Sequence, residues 1–163
     1  MTETKQEWTS GKVLFVCKAN VCRSPMAVAL FDALADDRGL SWRAHSAGVA
    51  ALKGRPMTPN AIAALEEIGV YTDSHQARQV NEVMLEESEL VLAMSPAYIA
   101  ELDRVSSNLN GKIYTLPEYA TGVPDKEGVP DPYGSSMVAF RATARQLFEY
   151  IDLLSLLILE RKE

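Results

Sequence analysis

The chain has 163 residues, 47% hydrophobic and 23% charged, which fits one soluble domain with a sizeable core. Its formal charge is −6. That balance argues against general nucleic-acid binding, which needs a basic surface, but it leaves room for a local positive pocket.

The first ten residues, "MTETKQEWTS", are polar and lack the apolar stretch of a signal peptide. They read as a flexible tail over 1–10, ahead of a single domain over 11–163. "KVLFVC" (Lys12–Cys17) is short, apolar and β-rich, as a buried parallel strand is. "SPMAVALFDALADDRG" follows as a helix, with Ser24 as a cap, Pro25 at the first helical position and Gly39 as the stop. "SWRAHSAG" (Ser41–Gly48) reads as a second strand. "TPNAIAALEEIG" (Thr58–Gly69) repeats the helix grammar of cap, proline and terminal glycine.

"NEVMLEESE" (Asn81–Glu89) predicts a short helix, "LVLAM" (Leu90–Met94) a third strand, and "SPAYIAELDR" a helix behind Ser95 and Pro96. "GKIYTL" (Gly111–Leu116) predicts a fourth strand, and Pro117–Gly134 a long proline-bearing loop. The last helix starts near Ser136. Its run "LLSLLIL" (Leu153–Leu159) is too short to span a bilayer and is flanked by Asp152 and Glu160. No membrane association and a cytoplasmic location are therefore expected. The broad apolar stripe of this helix predicts a monomer in which it covers the sheet, the alternative being self-association through it.

Strands alternating with helices predict an α/β fold, a four-stranded parallel sheet flanked by helices on both faces. In such sheets ligands bind at the carboxyl ends of the strands, where Cys17 lies.

The chain has two cysteines, Cys17 and Cys22, with Arg23 directly after the second. In a reducing compartment a structural disulfide is disfavoured. A zinc site lacks a second cysteine pair, and only His45 and His75 could complete it. Two buried, inert thiols remain an alternative. They leave unexplained why Arg23, Ser24 and Pro25 follow in register. Strand, Cys-x5-Arg-Ser-Pro and helix together build a phosphate-binding loop after the first strand: inward amides, a helix N-terminus and a guanidinium fork at one site. That environment favours the thiolate of Cys17 and predicts its attack on a phosphate monoester, with a phosphocysteine intermediate. Amides and Arg23 supply the positive charge, so no metal and no organic cofactor is expected.

"VCKANVCRSP" resembles the signature V-C-x-G-N-x-C-R-S-P of the low-molecular-weight protein tyrosine phosphatases, which are related to the protein arginine phosphatases. The resemblance runs from about Lys12 to the last helix through "SAG" (Ser46–Gly48), "HQARQV" (His75–Val80), "LVLAM" and "DPYG" (Asp131–Gly134). It implies the same four-stranded fold, and roles position by position. Cys17 would be the nucleophile and Arg23 the phosphate clamp. The amides of Lys18, Ala19, Asn20, Val21, Cys22 and Arg23 would cradle the phosphate. Ser24 would donate to the Cys17 sulfur. Asp131 would be general acid and then base, where its residue context alone equally allows an ordinary Asp-Pro turn. Asn20, Ser46 and His75 would hold the loop in shape.

Cys22 would form a reversible disulfide with Cys17 under peroxide, or simply pack beneath the loop. Lys18 and Tyr133 would form the substrate rim, with a solvated lysine and a tyrosine folded onto the core as the plainer readings. The implied partner is a phosphorylated protein or peptide.

Two positions depart from the pattern. Ala19 stands where the signature has glycine, so either φ is negative there or the loop is reshaped. The second outcome would leave a phosphate-binding module with little turnover. Val21 stands where the arginine phosphatases carry a threonine whose hydroxyl selects the phosphoguanidine. Its missing hydroxyl tips the expectation to phosphotyrosine, with phosphoarginine as the alternative. A thiol-dependent arsenate reductase, also related by fold, would need further cysteines after Cys22, and there are none.

Overall fold

Along Lys12–Cys17 the side chains alternate between two apolar clusters, and this strand, β1, is the centre of the fold. Val13, Phe15 and Cys17 enter one cluster, and Leu14 and Val16 the other. The computed structural model describes residues 11–72, 74–107, 109 and 111–162. The expected tail over 1–10 lies outside them. After β1 come α1 (Arg23–Arg38), β2 (Arg43–Gly48), α2 (Pro59–Glu67), α3 (Glu82–Glu87), β3 (Leu90–Ala93), α4 (Pro96–Val105), β4 (Ile113–Thr115), α5 (Leu116–Thr121) and α6 (Met137–Lys162).

The four strands form one parallel sheet in the order β2-β1-β3-β4. Both faces carry helices: Leu85 of α3 and Leu102 of α4 join Leu14, Val16 and Val91 on one side, while α1, α2, α5 and α6 contribute to the larger cluster on the other. The chain leaves β1 toward β2 and later returns to β3 on the opposite flank. The switch point of the sheet therefore lies at the carboxyl end of β1, beside Cys17.

Several expectations shift at the element ends. Helix α1 begins at Arg23, so Pro25 is its third residue rather than its first; it still lies in the first turn, where backbone N–H groups lack intrahelical partners. Ser24 is not the cap. The cap position is Cys22, without a side-chain cap bond. Thr58 does precede α2 but caps nothing with its hydroxyl, which faces Cys22 Sγ at 3.4 Å. Asn81 and Ser95 cap α3 and α4 through their side chains, and Gly39 closes α1 at φ 68°.

The segment expected to be loop from Pro117 opens with α5, because the Thr115 hydroxyl accepts from the Glu118 N–H and Pro117 suits the first turn. On α6, Phe140, Ala144, Leu147, Ile151, Leu154 and Ile158 form one buried stripe in the cluster that holds Phe15 and Leu92. No helix among the described residues is long and apolar enough to cross a membrane.

Candidate active site

The loop after β1 is held by contacts from distant segments, at Ser46 and at His75 and Arg78. Asn20 is its pivot. It is fully buried at φ 62°, the only non-glycine residue with positive φ among those described. Asparagine tolerates that left-handed backbone better than most residues. Its Nδ2 donates to Ser24 Oγ at 2.8 Å and to Ser46 Oγ at 3.0 Å, and its Oδ1 accepts from the Arg78 N–H at 3.0 Å. The Asn20 carbonyl pairs with His75 Nε2 at 2.7 Å.

Ala19 has no positive φ, so its methyl sits on ordinary backbone and meets no conformational penalty. The left-handed residue of this loop is Asn20, not the position where the signature has glycine. Glycine is instead required at Gly48: a Cβ there would stand 2.5 Å from the Lys18 carbonyl oxygen.

Cys17 Sγ lies 2.9 Å from Ser24 Oγ. Both cysteines are buried and free. Burial pushes the Cys22 thiol from an ordinary 9.0 up to about 11, with Asp131 and Cys17 adding to the rise and the Thr58 hydroxyl and Arg23 opposing it. Cys22 is therefore a thiol at neutral pH.

Arg23 is only 3% exposed. Its Nη1 donates to the Val129 carbonyl at 2.9 Å and its Nη2 to the Tyr98 hydroxyl at 2.7 Å. Asp131 Oδ2 lies 3.4 Å from Nη2. The remaining donor, Nε, is buried without a partner. Cys17, Ala19, Asn20, Val21, Cys22, Arg23, Asp131 and Tyr133 line one small pocket that opens to solvent. Tyr133 is 45% exposed and stands at its edge rather than in the core, and Lys18 is exposed beside it. Asp131 Oδ1 accepts from the Tyr133 N–H at 3.1 Å, which turns the Asp-Pro-Tyr segment back on itself over the pocket. Its arrangement is thus both a turn and a site wall.

Of the other expected site residues, Ser24 touches Cys17 and Asn20, and Ser46 and His75 touch Asn20 from outside the pocket, whereas His45 touches none of the site: it pairs with Ser88 Oγ at 2.9 Å and Arg78 Nη2 at 3.2 Å. Burial first, then the nearby Arg78 and Lys12 charges, hold its pKa below the usual histidine value. Sequence reasoning missed Tyr98, the Arg78 N–H and the Val129 carbonyl. The last two are backbone groups, which no residue type advertises. Tyr98 sits in the first turn of the helix predicted behind Ser95 and Pro96, and that capping pattern says nothing about the tyrosine hydroxyl. Gly128 was missed as well: at φ 75° its Cβ would fall 2.3 Å from the Met94 carbonyl, so only glycine lets the Asp131 loop lie against β3. Among the described residues no group of His, Cys, Asp and Glu is arranged to hold a metal ion.

A doubly wound α/β domain with a thiol and a buried arginine on the loop at its switch point is of the class of open parallel-sheet proteins whose ligand site lies at the carboxyl ends of the strands. The family model described as "Low molecular weight phosphotyrosine protein phosphatase" matches residues 12–160, and the chain belongs to this family of phosphatases. It is 36% identical over 139 residues to the protein-arginine-phosphatase of Bacillus subtilis, covering 85% of this chain and 91% of the relative. It is 33% identical over 147 residues to the low molecular weight phosphotyrosine protein phosphatase of Sus scrofa, covering 86% and 90%. The solved low molecular weight protein tyrosine phosphatase of T. tengcongensis superposes with a TM-score of 0.84 at 36% identity, covering 89% of this chain and 97% of that one.

Proposed function

We propose that the chain hydrolyses phosphotyrosine in phosphorylated proteins through a phosphocysteine intermediate. The observation that carries this reading is one pocket in which the Cys17 thiol, a buried Arg23 with an unpaired Nε, and the Asp131 carboxyl converge. The phosphate sits in the cradle of amides from Lys18 to Arg23. Cys17 sulfur forms the bond to phosphorus while the aryl oxygen leaves, taking its proton from Asp131. Water then attacks phosphorus, Asp131 takes its proton, and the Cys17 thiolate departs with the Ser24 hydroxyl 2.9 Å away to stabilise it. With Cys22 held as a thiol, one of the two sulfurs serves as nucleophile.

Val21 supports the tyrosyl substrate, since it gives the pocket an apolar wall without a hydroxyl for a guanidinium. Tyr133 at the edge offers a ring for a substrate ring to pack on. The similarity to the arginine phosphatase of Bacillus subtilis favours phosphoarginine as the second reading.

The test compares a phosphotyrosine peptide with a phosphoarginine peptide on the wild type, Cys17→Ser and Asp131→Asn. Phosphotyrosine turnover should vanish in Cys17→Ser and fall roughly 10²–10⁴-fold in Asp131→Asn, the usual worth of a general acid. Activity surviving in Cys17→Ser would refute the mechanism. A wild type that prefers phosphoarginine would replace the substrate, and one that binds phosphopeptide without turnover would leave a binding module.

A further inference from the structure

The clamp arginine has a partner outside the loop that the mechanism above does not use. We propose that Tyr98, at the start of α4, is a positioning residue that sets the plane of the Arg23 guanidinium for phosphate. This inference rests on the phosphatase reading of the site.

An arginine has five N–H donors in a fixed fork. Nη1 is tied to the Val129 carbonyl at 2.9 Å, and one Nη2 hydrogen to the Tyr98 hydroxyl at 2.7 Å. Val129 and Tyr98 belong to different segments, and together they hold the fork from two sides. The Arg23 Cζ lies 5.4 Å from the centre of the Tyr98 ring, so the ring supports the cation as well. Of the three hydrogens left, one on Nη1, one on Nη2 and that of the buried, unpaired Nε, the last two share one edge of the fork. That edge matches two oxygens of one phosphate.

A buried unpaired N–H on a cation is costly, and a bound phosphate removes the cost. The hydroxyl also gives Nη2 a neutral partner. Asp131 Oδ2 then stays 3.4 Å away instead of closing fully on the clamp. Without the hydroxyl, Nη2 is free to swing to the Asp131 carboxylate, which rotates the Nε edge away from the phosphate position.

Tyr98→Phe keeps the ring and removes the hydroxyl. The expected result is inhibition by inorganic phosphate weakened about tenfold, the scale of one hydrogen bond to a charged group, with kcat/KM for an aryl phosphate reduced by a similar factor. The thermal midpoint stays near that of the wild type. In an Arg23→Lys background the same change has no further effect, because a lysine ammonium lacks the planar edge that the tyrosine orients.

An active wild type whose phosphate inhibition is the same in Tyr98→Phe overturns the inference and leaves the phosphatase reading standing. So does a tenfold loss that persists undiminished on Arg23→Lys. An inert wild type refutes the phosphatase reading itself.

Discussion

Asn20→Ala is the sharpest test of how the loop is held. The change removes three buried side-chain hydrogen bonds, to Ser24 Oγ, Ser46 Oγ and the Arg78 N–H. At about 1 kcal/mol each they contribute about 3 kcal/mol. Alanine must also hold φ near 62°, which adds about 1 kcal/mol. The expected loss is about 4 kcal/mol, below the 5–15 kcal/mol of a typical domain, so the variant still folds.

With a urea m-value of about 2 kcal/mol/M, the unfolding midpoint drops by roughly 2 M. Phosphate inhibition weakens at least about tenfold, because the amides no longer converge and preorganised donors are worth that much or more. A cycle with Ser46→Ala should show a coupling of about 1 kcal/mol, the size expected for side chains in direct contact. A midpoint shift below about 0.5 M, with phosphate inhibition within about twofold of wild type, would refute the reasoning.

Two further outcomes follow from other parts of the site. The folded pKa of Cys22, about 11, lies above the ordinary 9.0 of the unfolded thiol, so its stabilising contribution is full below pH 9 and is lost as pH rises toward 11. Unfolding free energy measured across that window should fall more steeply in the wild type than in Cys22→Ala, and parallel slopes would contradict it. Gly128→Ala places a Cβ 2.3 Å from the Met94 carbonyl at φ 75°, so the Asp131 loop must move and the Val129–Arg23 bond must break. Aryl phosphate turnover should fall at least about tenfold, in line with what a misplacement of about 1 Å costs. Wild-type turnover in this variant would show that the loop is not anchored there.

The loop itself was legible in the sequence because its chemistry is local. Cys17, Arg23 and Ser24 lie within eight consecutive residues at the junction of a β-rich run and a helix, and so short a segment brings Cys17 and Arg23 to one pocket. The alternation of strands and helices was legible for the same reason, since periodicity and punctuation by Pro and Gly act over a few residues. Element ends were less so. Ser24 has the residue type of a cap, but its hydroxyl is drawn to Cys17 Sγ and Asn20, and the helix starts at Arg23, two residues before Pro25.

The sequence by itself determined the Cys-x5-Arg-Ser-Pro loop at the end of the first strand and the parallel α/β class of this protein. Only the tertiary structure decided that Ala19 keeps ordinary backbone, because the left-handed conformation in the loop falls on Asn20. It also decided what holds the loop and the arginine. Ser46, His75 and Arg78 lie 26, 55 and 58 residues from Asn20, and Tyr98 and Val129 lie 75 and 106 residues from Arg23. Contacts over such separations, three of the five involving a backbone group, leave no trace in residue spacing. They exist only once β1 stands between β2 and β3 and brings the ends of all three strands to one place.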